Sequence, residues 1–140
     1  MDDEAAIRQR LEDIFPAWSP GRNEFSINDI ADYYVQSEDM FAFDTLMPTT
    51  SIMAGWQSFA DNWTKALGTM DNFKCHMSNL LNVHVMGDIA WSALVLDVSA
   101  EIKDTGETMK GSQQVSLVWK KEEDGIWRII HEHLSGPVRQ

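Results

Sequence analysis

An α+β fold, with helices covering one face of a curved antiparallel sheet, is what the sequence predicts. Three observations lead there. Apolar residues recur at helical spacing only in the first half of the chain. From residue 72 onward the pattern changes to alternation, the period of a strand with one face buried. The alternating runs are separated by turn words: Gly87-Asp88, "DTGE" at 104–107 and "EEDG" at 122–125. Helices first and long strands afterwards is the segregated order of an α+β domain.

Each element has its own justification. Residues 2–15 form the first expected helix, with Ala5, Ala6, Leu11, Ile14 and Phe15 on a broad face and Asp2, Asp3 and Glu4 at the positive end of the dipole. Pro16 and "SPG" at 19–21 are expected to break it. "SINDIADYYV", 26–35, is a second short helix with Ser26 as N-cap and Asp29 completing a variant capping box. "EDMFAFD", 38–44, reads as a strand with Phe41 and Phe43 on one face and Met40, Ala42 and Asp44 on the other. "LMPTTSIMAG" is a loop or short hairpin. In "GWQSFADNWTKALG" the residues Trp56, Phe59, Ala60, Trp63 and Leu67 make the stripe of a third helix, which Gly68 stops. Four strands follow, over 73–87, 88–103, 108–121 and 126–134.

The bulk numbers bound the function. At 140 residues the chain is expected to be one domain, 1–140, large enough to bury a core. Eleven basic residues against twenty-two acidic ones give a net charge of −11, which excludes a nucleic-acid module and disfavours an anionic membrane surface. No apolar run is long enough to span a membrane, and "MDDEAAIRQR" has no apolar segment behind it, so no signal peptide is expected. The one cysteine, Cys75, cannot form an internal disulfide, and a cytoplasmic location fits. As a small apolar side chain it reads as structural.

Three words carry a resemblance: "FAFDTLMPTTSIMAGWQSFADNW", "VHVMGDIAWSALV" and "SLVWKKEEDGIWRIIHEHLSG". Over nearly the whole chain they resemble the nuclear transport factor 2-like superfamily, which includes ketosteroid isomerase and the SnoaL polyketide cyclases. The last word is also similar to the association domain of calcium/calmodulin-dependent protein kinase II. The resemblance implies a cone-like half-barrel of cystatin-like topology. Its curved antiparallel sheet would wrap around three N-terminal helices and enclose one deep pocket. It also implies dimers through the sheet. Because this fold hosts enzymes, carriers and assembly domains alike, activity does not follow from it.

The candidate chemistry centres on "IWRIIHEHL". Plain strand alternation puts Trp127, Ile129, His131 and His133 on one face, with Glu132 pointing through the sheet. Two adjacent imidazoles in a half-apolar cavity can share acid and base roles near neutral pH. "G-x5-H-x-H" also opens the cupin metal motif, but only "LSGPVRQ" follows, without a further acid or histidine, so no metal is expected. The alternative is that both histidines are wall or interface residues, as in the kinase association domain.

Asp44 is the candidate base, at the position where "MFAFD" resembles the catalytic carboxylate of ketosteroid isomerase. Steroid isomerisation itself is not expected. That pattern uses a helix tyrosine and a protonated aspartate as donors. The first helix here has no tyrosine, and Asp97 in "LVLDVSA" is a poor match for the acid. The expected pocket walls are Tyr34, Phe41, Trp63, Trp91, Gln114 and Trp127, with Met47, Met53, Met77 and Met86 as adaptable lining. Gln114 and Leu117 in place of arginines argue for a neutral or weakly polar ligand.

Two readings stand. The first is an enzyme needing no cofactor, acting by acid–base chemistry on a small, mostly apolar metabolite as an isomerase, cyclase, dehydratase or hydrolase. The second is a non-catalytic ligand-binding or dimerisation module. A homodimer through the sheet is expected in both, because tryptophans on both faces would leave an apolar patch in water.

Overall fold

A computed structural model describes residues 2–19 and 25–138. Helix α1 spans Asp3–Trp18, and Asp2 caps it by accepting from the Ala5 backbone N–H at 2.7 Å. Pro16 does not end the helix as expected, but lies inside it. In the last turn a missing N–H removes only one hydrogen bond. The buried Trp18 ring then anchors the end against Phe25, Tyr34, Phe59 and Trp63. Pro20 and Gly21, the rest of the expected break, lie outside the described residues.

The second expected helix is two 3-10 turns, Ile27–Asp29 and Ala31–Tyr33. Ser26 does form the capping box. The run stays short because the chain is drawn out onto a sheet edge: Tyr34 bridges Ile129 in parallel, and the Val35 N–H donates to the Ile129 carbonyl at 2.9 Å. The described chain therefore has two α-helices where three were expected. The second, α2, spans Trp56–Gly68.

Six strands make one curved, unclosed sheet: β1 (Phe41–Asp44), β2 (Ile52–Ala54), β3 (Met70–Met86), β4 (Ile89–Ile102), β5 (Thr108–Lys121) and β6 (Trp127–Ser135). Their order is β2-β1-β6-β5-β4-β3. The 46–55 segment is the hairpin alternative, since β2 returns antiparallel on β1. The sheet is not wholly antiparallel, because β1 lies parallel to β6.

The inner face carries the core. Trp119 is fully buried and donates its indole N–H to Ser92 Oγ at 3.0 Å, so its polar edge is satisfied. Trp127 donates in the same way to Asp3 Oδ1 at 3.0 Å. Ile7, Leu11 and Ile14 of α1 and Phe59 of α2 close over this layer. Arg10 and Arg128 both pair with Asp32, tying α1 and β6 to the 3-10 segment.

One irregularity decides what faces where. On β6, Ile129 is opposite Trp119 but His131 is opposite Val118, so Ile130 has no partner on β5. This is a β-bulge, and an extra residue reverses the inside–outside frame beyond it. Trp127 and Ile129 are buried before the bulge, and Glu132 and Leu134 after it.

Candidate functional site

Between α1, α2 and the inner face of the sheet lies a cavity of about 60 Å³. Its walls are mostly apolar, with Trp18, Trp63, Phe73 and Leu117 among them. Three side chains with an ionisable oxygen reach it from neighbouring elements: Tyr34 before β1, Asp44 at the end of β1 and Glu132 on β6. The register explains their proximity. Asp44 is opposite Leu134 and Ala42 is opposite Glu132, so the two carboxyl-bearing residues sit on adjoining strands, two residues apart along the strand direction.

Glu132 is 4 % exposed and Asp44 is 1 % exposed. The Tyr34 hydroxyl donates to Glu132 Oε1 at 2.7 Å. Burial pushes the Glu132 carboxyl up to about 8, against the Tyr34 hydrogen bond that lowers it, and the charge on Asp44 adds to the rise. Burial also raises Asp44, but the Leu46 and Met47 backbone N–H groups and the charge of His133 hold it back. The Leu46 N–H reaches Asp44 Oδ1 at 2.9 Å. Tyr34 is raised well above its ordinary value, first by burial and then by Glu132. Burial thus raises both carboxyls, Glu132 further than Asp44, so that as pH rises Asp44 gives up its proton before Glu132 does. Two carboxyls driven apart in this way are the arrangement that supports paired acid and base work.

Cys75 also lines the cavity. Burial pushes its thiol up to about 11, with Ser19 as a partner, so it stays a neutral wall residue. Among the described residues no group of three or more His, Cys, Asp or Glu side chains is placed to hold a metal ion.

The sequence-expected site residues divide between the two faces. Tyr34, Asp44 and Trp63 line the cavity. His131 and His133 are on the outer face, where His131 stacks on Phe41 at 4.0 Å between ring centroids and Phe43 stands edge-on to both imidazoles. The bulge at Ile130 is the reason. Phe41 is outside with them, since strand alternation cannot turn both Phe41 and Asp44 inward. Trp91 is outside for the same reason, alternating with the buried Ala90 and Ser92, and it packs on His84. Gln114 points outward and donates to Ser135 Oγ at 3.2 Å; its neighbour Gln113 is the one that faces the cavity. Trp127 is core, pinned to Asp3, and does not line the cavity. Of the expected methionines Met47 lines it; Met53 is core and Met86 is exposed, while Met70 and Met109 line it instead.

Glu132 and Gln113 are the residues that sequence reasoning missed, and each had a signal. In "WRIIHEHL" the alternation counted forward from Trp127 and the one counted back from Leu134 collide at the Ile129–Ile130 doublet. In "GSQQVSLVW" the apolar positions Val115, Leu117 and Trp119 put Gln113, not Gln114, in phase with the core.

Comparison with known proteins agrees with this architecture. A family described as the SnoaL-like domain matches residues 23–139. A nuclear transport factor 2-like superfamily protein from Salmonella enterica serovar Typhimurium superposes with a TM-score of 0.84 at 20% identity, covering 98% of this chain and 92% of that one. A ketosteroid isomerase-like protein from Erwinia carotovora atroseptica gives 0.80 at 16% identity, covering 99% and 98%. A protein with a cystatin-like fold from Caulobacter vibrioides gives 0.69 at 19% identity, covering 94% and 87%. At these identities the likeness establishes the fold. No protein of curated function matches the chain in sequence.

Proposed function

The chain belongs to the SnoaL-like domain family, and from that premise we propose that it binds a small uncharged carbonyl compound and moves a proton on it without a cofactor, as an isomerase- or dehydratase-type enzyme. The observation that carries the reading is the pairing of two buried carboxyls, Glu132 and Asp44, on adjoining strands in one apolar cavity, with the Glu132 proton held the more firmly. Asp44 takes the proton next to the carbonyl. Glu132 faces the carbonyl oxygen and donates to the charge that builds there, a contribution of about 10²–10³-fold for one well-placed donor. Tyr34 is a positioning residue. Its hydroxyl occupies Glu132 Oε1 and so leaves the other carboxyl oxygen, with its proton, for the ligand. His131 and His133 have no part in this chemistry.

The test is solvent exchange. In D2O, wild-type protein is expected to accelerate deuterium uptake next to the carbonyl of small ketones, followed by the loss of the proton NMR signal. Wild-type protein that leaves these protons at the buffer rate across such ketones refutes the reading.

The outer face of the sheet supports the second part of the proposal, a homodimer. One cross-strand row runs Phe41, His131, Val118, Trp91, His84, and the next runs Ile52, Phe43, His133, Ser116, Ala93. At strand spacings of about 4.8 Å the first row spans roughly 19 Å. Phe41 and Trp91 stand about two-fifths exposed at 41% and 40%, and Ile52 at 60%. An aromatic band of this kind fits a second copy of itself better than it fits water. Light scattering after gel filtration should give the mass of two chains for wild type. The Phe43→Asp, Trp91→Asp double variant should give one chain with unchanged far-ultraviolet circular dichroism. A monomeric wild type removes the dimer from the proposal.

No helix among the described residues is long and apolar enough to cross a membrane. A cytoplasmic location is part of the proposal and rests on the lone cysteine and the acidic surface.

A further inference from the structure

Two residues of the cavity wall each carry a buried polar atom with no hydrogen-bond partner among the described residues: Gln113 at Oε1 and Trp63 at Nε1. Gln113 is 5 % exposed. It is shut in from behind by the chain leaving β6, because Gly136 passes so close that a Cβ there would lie 2.8 Å from the Ser112 carbonyl and 3.5 Å from Gln113. Buried polar atoms without partners are rare and destabilising, so two of them on residues that line one hollow call for a ligand that completes them. One atom is an acceptor and the other a donor. A hydroxyl answers both, because it donates and accepts.

The charges around the cavity narrow the class further. No Lys, Arg or His is among the described residues lining it, while Asp44 and Glu132 both are. An anionic ligand would meet the Asp44 carboxylate with no countercharge. We propose that Gln113 and Trp63 form a hydroxyl subsite, and that the ligand is an uncharged hydroxy-carbonyl compound rather than a simple ketone or a keto acid. This rests on the reading that places the carbonyl end at Asp44 and Glu132. A cavity of about 60 Å³ suits a compound of only a few heavy atoms. Met47, Met70 and Met109 line it, and thioether side chains can turn aside to widen it.

The experiment uses three matched probes: 2-butanone, 4-hydroxy-2-butanone and levulinate. Affinities are measured by ligand-observed NMR on wild type, Gln113→Leu and Trp63→Phe. The hydroxyketone should bind wild type about tenfold or more tighter than butanone, and levulinate should not bind. Both variants should bring the hydroxyketone-to-butanone ratio close to one. Gln113→Leu should also melt at or above the wild-type temperature, since it removes an unpaired buried amide. If it does not fold, the Trp63→Phe ratio decides alone.

Equal wild-type affinity for the two ketones overturns the subsite, and so does binding of levulinate, failure of all three probes to bind, or a preference that survives both variants. Survival in both would mean that a resident water completes the two atoms. The same samples in D2O keep the two readings apart. Accelerated deuterium uptake by both ketones without a hydroxyl preference sinks the subsite and leaves the acid–base reading standing. A hydroxyl preference lost in the variants, with no deuterium uptake, supports the subsite and sinks the acid–base reading.

Discussion

Replacing Asp44 by asparagine should slow ketone deuteration by about 10²–10⁴-fold, the range that a positioned general base supplies. The substitution keeps the shape and the acceptor for the Leu46 N–H but removes the charge that pulls the proton away. The pH profile carries the sharper signature. Asp44 works as a base only when ionised, so the rate should climb as pH rises through its raised pKa. Glu132 works as a donor only while protonated, so the rate should fall again above about 8. The result is a bell, and its two limbs belong to the carboxyl pair together. Glu132→Gln should lower the maximum and abolish the descending limb, because an amide does not ionise. A profile that rises and stays flat in wild type would mean that Glu132 is not the donor. An asparagine variant as fast as wild type would remove Asp44 from the mechanism.

The second large effect is on stability. An ordinary glutamate loses its proton near 4.5, but in the folded chain Glu132 keeps it up to about 8. Between those values the folded state binds more protons than the unfolded state. Stability should therefore decline as pH rises through this window and level off above it. The raised Asp44 acts in the same direction. For a fully buried group the loss is on the order of a few kcal/mol. Glu132→Gln retains the acceptor for Tyr34 and cannot ionise, so its stability should depend far less on pH. Urea midpoints at about pH 5 and about pH 8 test this: wild type should lose ground to the variant at the higher value. A wild type that gains stability over that interval would mean Glu132 is ionised when buried, and the neutral-donor role would fall with it.

Most of the architecture was legible because the sheet announces itself. The β4 and β5 runs alternate without interruption, and their turns carry the expected glycines. Gly87 and Gly106 occupy positive φ of 63° and 72°, where side chains with a Cβ are disfavoured. The two 3-10 turns look like one helix in the sequence because local capping is the same in both, and only the distant Ile129 carbonyl decides that the chain straightens at Tyr34. Asp44 was legible, since "FAFD" alternates cleanly up to it. Glu132 was not, because a bulge is a property of two strands and the histidines on either side looked like the chemistry. Its tyrosine partner lies 98 residues away in sequence, beyond the reach of any local pattern. For the glutamine pair the family likeness points to Gln114, whereas the phase of Val115, Leu117 and Trp119 points to Gln113.

The unpaired Ile130 leaves the histidines and the glutamate separated only by counting. Removing that one residue would leave His131 and His133 outside and Glu132 inside, because Ile129 and His131 would then follow each other as in a regular strand. Insertions and deletions are ordinarily the harshest changes a lineage can impose on a strand. At this joint the loss of a single residue would leave the carboxyl and the imidazoles on the faces they now hold, which makes the irregular turn of β6 a place where descendants of one ancestor could differ in length without changing what meets the hollow.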